Sequence, residues 1–154
     1  MKINNILDIQ DACVLAVLQE SGWQKDRSIC ISDWVTTLKA EGYFLFPMVI
    51  DVLANFGHLV IKPEVNPNGK FYSGEINFDP CWAATGERSR IEERERKMVP
   101  KLVPIGEWMG VYILLLSDKG EVFAETTGQI FLVGETFPGA IKNLIFSDKE
   151  LIFV

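Results

Sequence analysis

The stretch LVPIGEWMGVYILLLSDKGEVFAETTGQIFLVG, residues 102–134, predicts consecutive β-strands joined by tight turns. Its run VYILLL is apolar at every position, which is the pattern of a strand covered on both faces. Gly120 ends the following SDKG turn and supplies the positive φ that a tight reversal requires, and Thr127 and Gly128 form the next turn. The strands lie at residues 111–116, 121–126 and 129–133. We therefore predict an antiparallel meander of three or four strands at the centre of the fold.

Three helices are predicted before the meander, and a glycine ends each of them. They span residues 9–20, 33–41 and 47–56, followed by Gly22, Gly42 and Gly57. Ser32 is the expected N-cap of the second helix, and Pro47 opens the third. The expected inward faces are Ile9, Cys13, Ala16 and Val17 in the first helix and Trp34, Val35 and Leu38 in the second. Because residues 12–18 are apolar nearly all round, the first helix is either well buried or packed on another subunit.

The rest of the chain supplies short strands and a last helix. Residues 58–62 predict a strand and residues 71–78 contain another, while residues 149–154 form an apolar tail suited to an edge strand. Thr136 caps a helix over residues 137–146. The expected apolar face of this last helix is Ala140, Ile141, Leu144 and Ile145. Helices first, then strands, then one helix indicate an α+β fold, with N-terminal helices packed on a mainly antiparallel sheet in a single domain of residues 1–154.

One charged surface helix is predicted at residues 87–97, ERSRIEERERK. Two i,i+4 pairs, Glu92–Arg96 and Glu93–Lys97, have the favourable order for an exposed helix. Only Ile91 and Met98 are placed for burial. Six basic residues outnumber four acidic ones between positions 87 and 101, so the rest of the chain carries a net charge of −8 against −6 for the whole. The acidity belongs to the body of the protein.

Composition excludes several classes of protein. A net charge of −6 and a pI of 4.8 argue against direct binding to nucleic acid, which normally requires a basic face. Three cysteines without a CxxC pair indicate reduced thiols, and a single histidine excludes the usual zinc sites. No apolar run approaches the roughly 18 residues that span a membrane, and the N-terminus is a poor signal peptide. We therefore expect a cytoplasmic protein without metal or cofactor.

Enzymatic chemistry finds little support in the residues. His58 is the only imidazole, and no nucleophile motif accompanies it, so a structural role is the simpler interpretation. Trp34 is expected in the core. Trp23, Trp82 and Trp108 sit beside loops, where a tryptophan either caps the core or contacts a partner. Four residues after Trp23, Arg27 is expected to fasten its loop to a helix end or a carboxylate.

The ordered spacing of these residues resembles the SUKH superfamily, and most closely its third immunity branch, over residues 12–147. The first half of the pattern is Gly22-Trp23, Arg27, Trp34, Leu38, Gly42, Leu53, Phe56-Gly57 and Leu59. The second half is Phe78-Asp79-Pro80, Pro104-Ile105-Gly106, Gly120-Glu121-Val122, Phe131, Gly134 and Leu144. The family pattern favours glycine where this chain has His58 and Lys101.

The resemblance implies a non-enzymatic bacterial immunity protein. Such proteins are typically encoded beside a polymorphic toxin and bind its C-terminal effector domain, commonly a nuclease or a nucleic-acid deaminase. An acidic body suits that role, because effectors that act on nucleic acid need basic clefts. The alternative is a SUKH-fold scaffold or regulatory adaptor that binds an endogenous protein. Homodimerisation through the first helix or the tail is left open. The candidate partner contacts, which flank the charged helix and the first turn of the meander, are Trp82, Glu87, Glu92, Glu93, Glu95, Glu107 and Trp108.

Overall fold

The computed structural model describes residues 7–98 and 100–154, and within them one antiparallel sheet of seven strands organises the fold. Each strand pairs with the next one along the chain, so the sheet is a continuous meander. The strands are β1 (Val60–Ile61), β2 (Ile76–Asn77), β3 (Leu102–Trp108), β4 (Tyr112–Ser117), β5 (Val122–Thr126), β6 (Gln129–Gly134) and β7 (Ile152–Phe153). The helices are α1 (Ala12–Glu20), α2 (Ser32–Ala40), α3 (Pro47–Phe56), α4 (Arg88–Met98) and α5 (Phe137–Phe146). The predicted α+β class is confirmed.

The central strands lie where the apolar pattern places them. Gly120 has a φ of 91° and donates its N–H to the carbonyl of Ser117 at 2.9 Å, which closes the turn between β4 and β5. Thr126 pairs with Gln129 across the two-residue turn that follows. The tail also pairs as an edge strand, β7. The first two strands are shorter than predicted, since β1 and β2 contain only two residues each.

The helix ends are set by caps that the sequence identifies only in part. Gly22 and Gly42 have φ values of 99° and 102°, and each is followed by a residue whose N–H reaches back into the helix. Thr136 Oγ1 accepts the N–H of Gly139 at 3.1 Å, which confirms that cap. The prediction for Ser32 is wrong, because it lies inside α2 and makes no capping hydrogen bond.

The inward face of α1 also differs from the prediction. The helix starts at Ala12, since the carboxylate of Asp11 accepts the N–H groups of Cys13 and Val14. Val14 and Leu18 are buried, whereas Cys13 and Ala16 are exposed. Burial of a branched side chain removes more apolar area from water than burial of alanine or cysteine, which favours the Val14–Leu18 face.

The core lies between the sheet and the helices. Phe56 of α3 contacts Phe78 and Phe137, with ring centroids 5.5 and 4.9 Å apart. Leu38 of α2 is buried, while Trp34 and Val35 are only half-buried. The buried face of α5 is the predicted one, Ala140, Ile141, Leu144 and Ile145. All three cysteines are free thiols. Among the described residues, no helix combines the length and the apolar character that crossing a membrane requires.

Candidate partner-binding surface

The charged helix α4 is attached to the sheet by ion pairs. Glu125 of β5 has no exposed surface, and its two oxygens accept hydrogen bonds from Arg90 Nε at 2.8 Å and Arg90 Nη2 at 2.9 Å. Arg94 Nε donates to the same carboxylate at 3.3 Å. Glu125 raises the pKa of the Arg90 guanidinium by accepting its hydrogen bonds. Arg90 and Arg94 are one turn apart, so both reach the sheet from the same face of the helix.

A second set of polar contacts fixes the ends of α4. Glu95 accepts from Arg88 at 3.0 Å and from the backbone N–H of Leu102 at 2.8 Å. Glu87 pairs with Arg90. Ile91 is fully buried and Met98 half-buried, as predicted. The sequence pattern did not predict that the inward face of α4 also makes ion pairs. A single glutamate within the otherwise apolar strand VFAET is the signal that would have found it.

The outward face of α4 is open to solvent. Glu92 and Glu93 are exposed, and Lys97 Nζ lies 3.5 Å from Glu93, which confirms one of the two predicted i,i+4 pairs. Glu92 and Arg96 do not form the other, since they are not within 4 Å. Such surface pairs contribute little to stability. Of the four candidate glutamates on or beside α4, these two are therefore free to meet a partner without breaking an internal contact that fixes the fold.

Trp82 projects from a turn between β2 and α4. The residue is 73% exposed, the highest value among the large hydrophobic residues that the structure describes. Asp79 Oδ1 accepts the N–H groups of Cys81 at 3.0 Å and Trp82 at 3.2 Å, which fixes the backbone beneath the indole. Tryptophan is one of the residue types enriched among interface hot spots.

Three acidic residues lie on or beside β2, which precedes this turn, and β3, which pairs with β2. Glu107 is half-buried, and its pKa is raised by burial first and then by the negative charges of Glu75 and Asp79. Asn77 of β2 lies opposite Glu107 of β3, which brings Glu75 and Asp79, each two residues from Asn77, next to Glu107. We call Trp82, Glu75, Asp79 and Glu107 the Trp82 surface. Glu75 and Asp79 were not among the sequence candidates, because only the pairing of β2 with β3 brings them beside Glu107.

Trp108 lies inside the protein. It is 1% exposed, and its indole N–H donates to Ser73 Oγ at 3.0 Å, while Ser73 in turn donates to the carbonyl of Leu144. Of the two candidate tryptophans, Trp82 is therefore the one presented to solvent.

The family model described as SUKH-3 immunity protein matches residues 10–147. The chain belongs to the SUKH-3 immunity protein family. No curated protein and no solved structure matches it.

Two N-terminal residues of the family pattern, Trp23 and Arg27, make internal hydrogen bonds to α3 in this SUKH-3 protein. Trp23 is 5% exposed, and its indole N–H donates to Asn55 Oδ1 at 2.9 Å. Arg27 Nη1 donates to the carbonyl of Asn55 at 3.0 Å, which confirms that it ties its loop to a helix end. His58 is exposed and packs on Trp34, with ring centroids 4.4 Å apart.

Other surfaces of this SUKH-3 fold offer less specific chemistry. A cleft of about 750 Å³ between α1 and α3 is lined by both acidic and basic side chains, those of Asp8, Lys25, Arg27 and Asp51. In the edge strand β7, Ile152 is 58% exposed and Phe153 is 66% exposed. Within the described part of the chain, no group of histidine, cysteine, aspartate or glutamate is arranged to hold a metal ion.

Proposed function

We propose that this SUKH-3 family member binds the C-terminal effector domain of a cognate bacterial polymorphic toxin and blocks it in a one-to-one complex. The effector is a nuclease or a nucleic-acid deaminase, and the protection takes place in the cytoplasm without catalysis by the immunity protein. Membership of the SUKH-3 immunity protein family over nearly the whole chain is the observation that carries the proposal.

The Trp82 surface and the outward face of α4 supply the contacts. An exposed indole buries a large apolar area when a partner covers it. Carboxylates around it attract the lysines and arginines that line a cleft for nucleic acid. The net charge of −6 adds a long-range attraction, which speeds association with a basic domain. Binding at such a cleft excludes the nucleic-acid substrate.

Co-expression tests the function directly. The C-terminal domain encoded by the adjacent toxin gene is produced in bacteria with and without the immunity protein, and survival and gel filtration are measured. We expect survival and a stable one-to-one complex. Death at an unchanged rate together with the absence of a complex contradicts the proposal.

A single variant tests the surface. Trp82→Ala removes the exposed indole, and we expect at least about a thirtyfold loss of affinity in calorimetry with the effector domain, since a hot-spot truncation costs at least ~2 kcal/mol. Phe44→Ala is the matched control, because Phe44 is an aromatic residue with 62% exposure outside this surface. Equal affinities of the two variants would remove the Trp82 surface from the interface.

Pairing of two copies through β7 remains a prediction, and light scattering on the free protein measures it.

A further inference from the structure

Helix α4, like α2, buries only one side chain completely. Ile91 is its only fully buried residue, whereas the ten-residue helix α3 buries four, Val49, Val52, Leu53 and Phe56. Apolar burial provides most of the free energy that holds a helix on a core. The attachment of α4 therefore depends on its polar contacts to a degree that the attachment of α3 does not.

The principal polar contact is the buried carboxylate of Glu125 with two guanidinium groups. Glu125 is fully enclosed, while the side chains of Arg90 and Arg94 are 26% and 21% exposed. Removing charges from water costs nearly as much as their mutual attraction returns, so a buried ionic cluster adds little net stability. Removing one member, in contrast, leaves an uncompensated charge.

Separation of α4 from the sheet would return these charges to water. On β5, Glu125 lies opposite Ile113 of β4 and Ile130 of β6, which are both buried. Opening therefore uncovers an apolar part of the sheet, but it leaves the Phe56, Phe78 and Phe137 contacts unchanged. Gly86, exposed and with a φ of 82°, precedes the helix, and its N–H donates to Glu41 Oε1 at 3.2 Å, an exposed contact that opening would break.

We propose that Glu125 is a positioning residue of the partner-binding surface, and that through Arg90 and Arg94 it holds α4 on the sheet as a cover that opens separately from the rest of the fold. The inference rests on the proposed function in one respect, that α4 presents Glu92 and Glu93 to the effector domain. The separate opening itself is a property of the free protein.

Hydrogen exchange of the free protein, followed by mass spectrometry, tests this. In the wild type we expect α4 amides to exchange at least about tenfold faster than β4 amides, as expected for a local opening that does not require global unfolding. Glu125→Gln should accelerate α4 exchange by about a further tenfold and β4 exchange by less than about threefold. Glu93→Gln is the matched control, because it removes an exposed ion pair on the same helix and should leave both rates unchanged.

An apolar replacement of the cluster provides the opposite change. The triple variant Arg90→Met, Arg94→Met, Glu125→Leu should slow α4 exchange, since apolar contacts replace the ionic ones. The α4 exchange rate of the wild type should change with NaCl concentration, because its contacts are ionic, and that of the variant should not. Wild-type α4 and β4 amides with the same opening rate would overturn the proposal. So would equal acceleration of both elements by Glu125→Gln, which marks a residue that only supports global stability. No toxin is present, so failure here is distinct from failure of the co-expression experiment.

Discussion

At the scale of single residues, His58 occupies a backbone conformation that favours glycine. Its φ is 67°, and Gly57 before it has a φ of −53°. The left-handed region costs a non-glycine residue roughly 1–2 kcal/mol. The resemblance leads us to expect glycine at this position, and the positive φ is a physical reason for that expectation. Stacking on Trp34 offsets part of the cost.

Two substitutions at this residue separate the strain from the stacking. His58→Gly and His58→Ala both remove the contact with Trp34, but only glycine relieves the left-handed backbone. We expect the glycine variant to have a free energy of unfolding about 1 kcal/mol above that of the alanine variant. Urea unfolding measures the difference. At a position without backbone strain, alanine is more stable than glycine. If the alanine variant is the more stable of the two, the backbone at residue 58 is not strained.

Asp51 shows how burial couples a residue to pH. Burial raises the pKa of its carboxyl group above the ordinary value, and Oδ2 is enclosed without a hydrogen-bond partner among the described residues. The folded state therefore favours the protonated form. The stability that this preference contributes is fully present below the unfolded pKa of about 3.9 and is lost as the pH rises through the higher folded pKa.

Asp51→Asn removes the ionisation while keeping the shape of the side chain. At pH 7 the variant avoids the buried charge, so its Tm should exceed that of the wild type. The gain should shrink at pH 4, where the wild-type carboxyl is more protonated. Calorimetry at the two pH values measures both differences. A gain that is independent of pH would assign the effect to hydrogen bonding instead of charge.

At the scale of elements, Gly106 of β3 permits the close approach of β2. A Cβ atom at Gly106 would lie 2.5 Å from the carbonyl oxygen of Asn77 and 3.0 Å from the Cα of Phe78. Neither atom belongs to a flexible side chain, so the strands would have to separate. The glycine of the Pro104-Ile105-Gly106 sequence therefore has a packing role.

Gly106→Ala should lower the free energy of unfolding by about 2 kcal/mol, in the range of overpacking substitutions. Gly128→Ala is the control, because nothing lies within 4 Å of a Cβ there and the backbone φ is not positive. Urea unfolding of both variants measures the difference. Equal stability of the two would show that β2 moves away from β3 without cost.

The helices differ in how far their sequences predict them. α3 and α5 have an apolar face and a proline in the first turn, and the structure agrees with both features. α4 has the pattern of a solvated helix, yet Arg90 and Arg94 face a buried carboxylate 35 and 31 residues away in sequence. Local periodicity cannot identify such a pair, because the partner lies on another element.

At the scale of the whole molecule, charge governs association with a basic effector domain. Glu92→Lys with Glu93→Lys changes the net charge from −6 to −2 and places the change on the proposed contact face. We expect weaker binding and a smaller effect of salt on affinity, because fewer favourable charge pairs form. Calorimetry at two NaCl concentrations measures both quantities.

The control for this variant carries the same change of net charge elsewhere. Glu64→Lys with Glu150→Lys alters two exposed glutamates, one in the loop after β1 and one before β7. It should reduce the association rate modestly and leave the dissociation rate unchanged. The same loss of affinity in both double variants would mean that net charge alone, and not the outward face of α4, determines binding.

The sequence by itself determined the α+β class, the central strands of the meander, the ends of α3 and α5 and the resemblance to the SUKH-3 family, because local periodicity, turn residues and helix caps act between near neighbours. Only the tertiary structure decided that Trp108 is enclosed while Trp82 is exposed, and that Glu75, Asp79 and Glu107 lie together. It also decided that α4 is held by Glu125. Whether a side chain is buried, and which charges lie near it, depends on which strands pair. Residues from different strands come together on one face of the sheet only when the meander has formed.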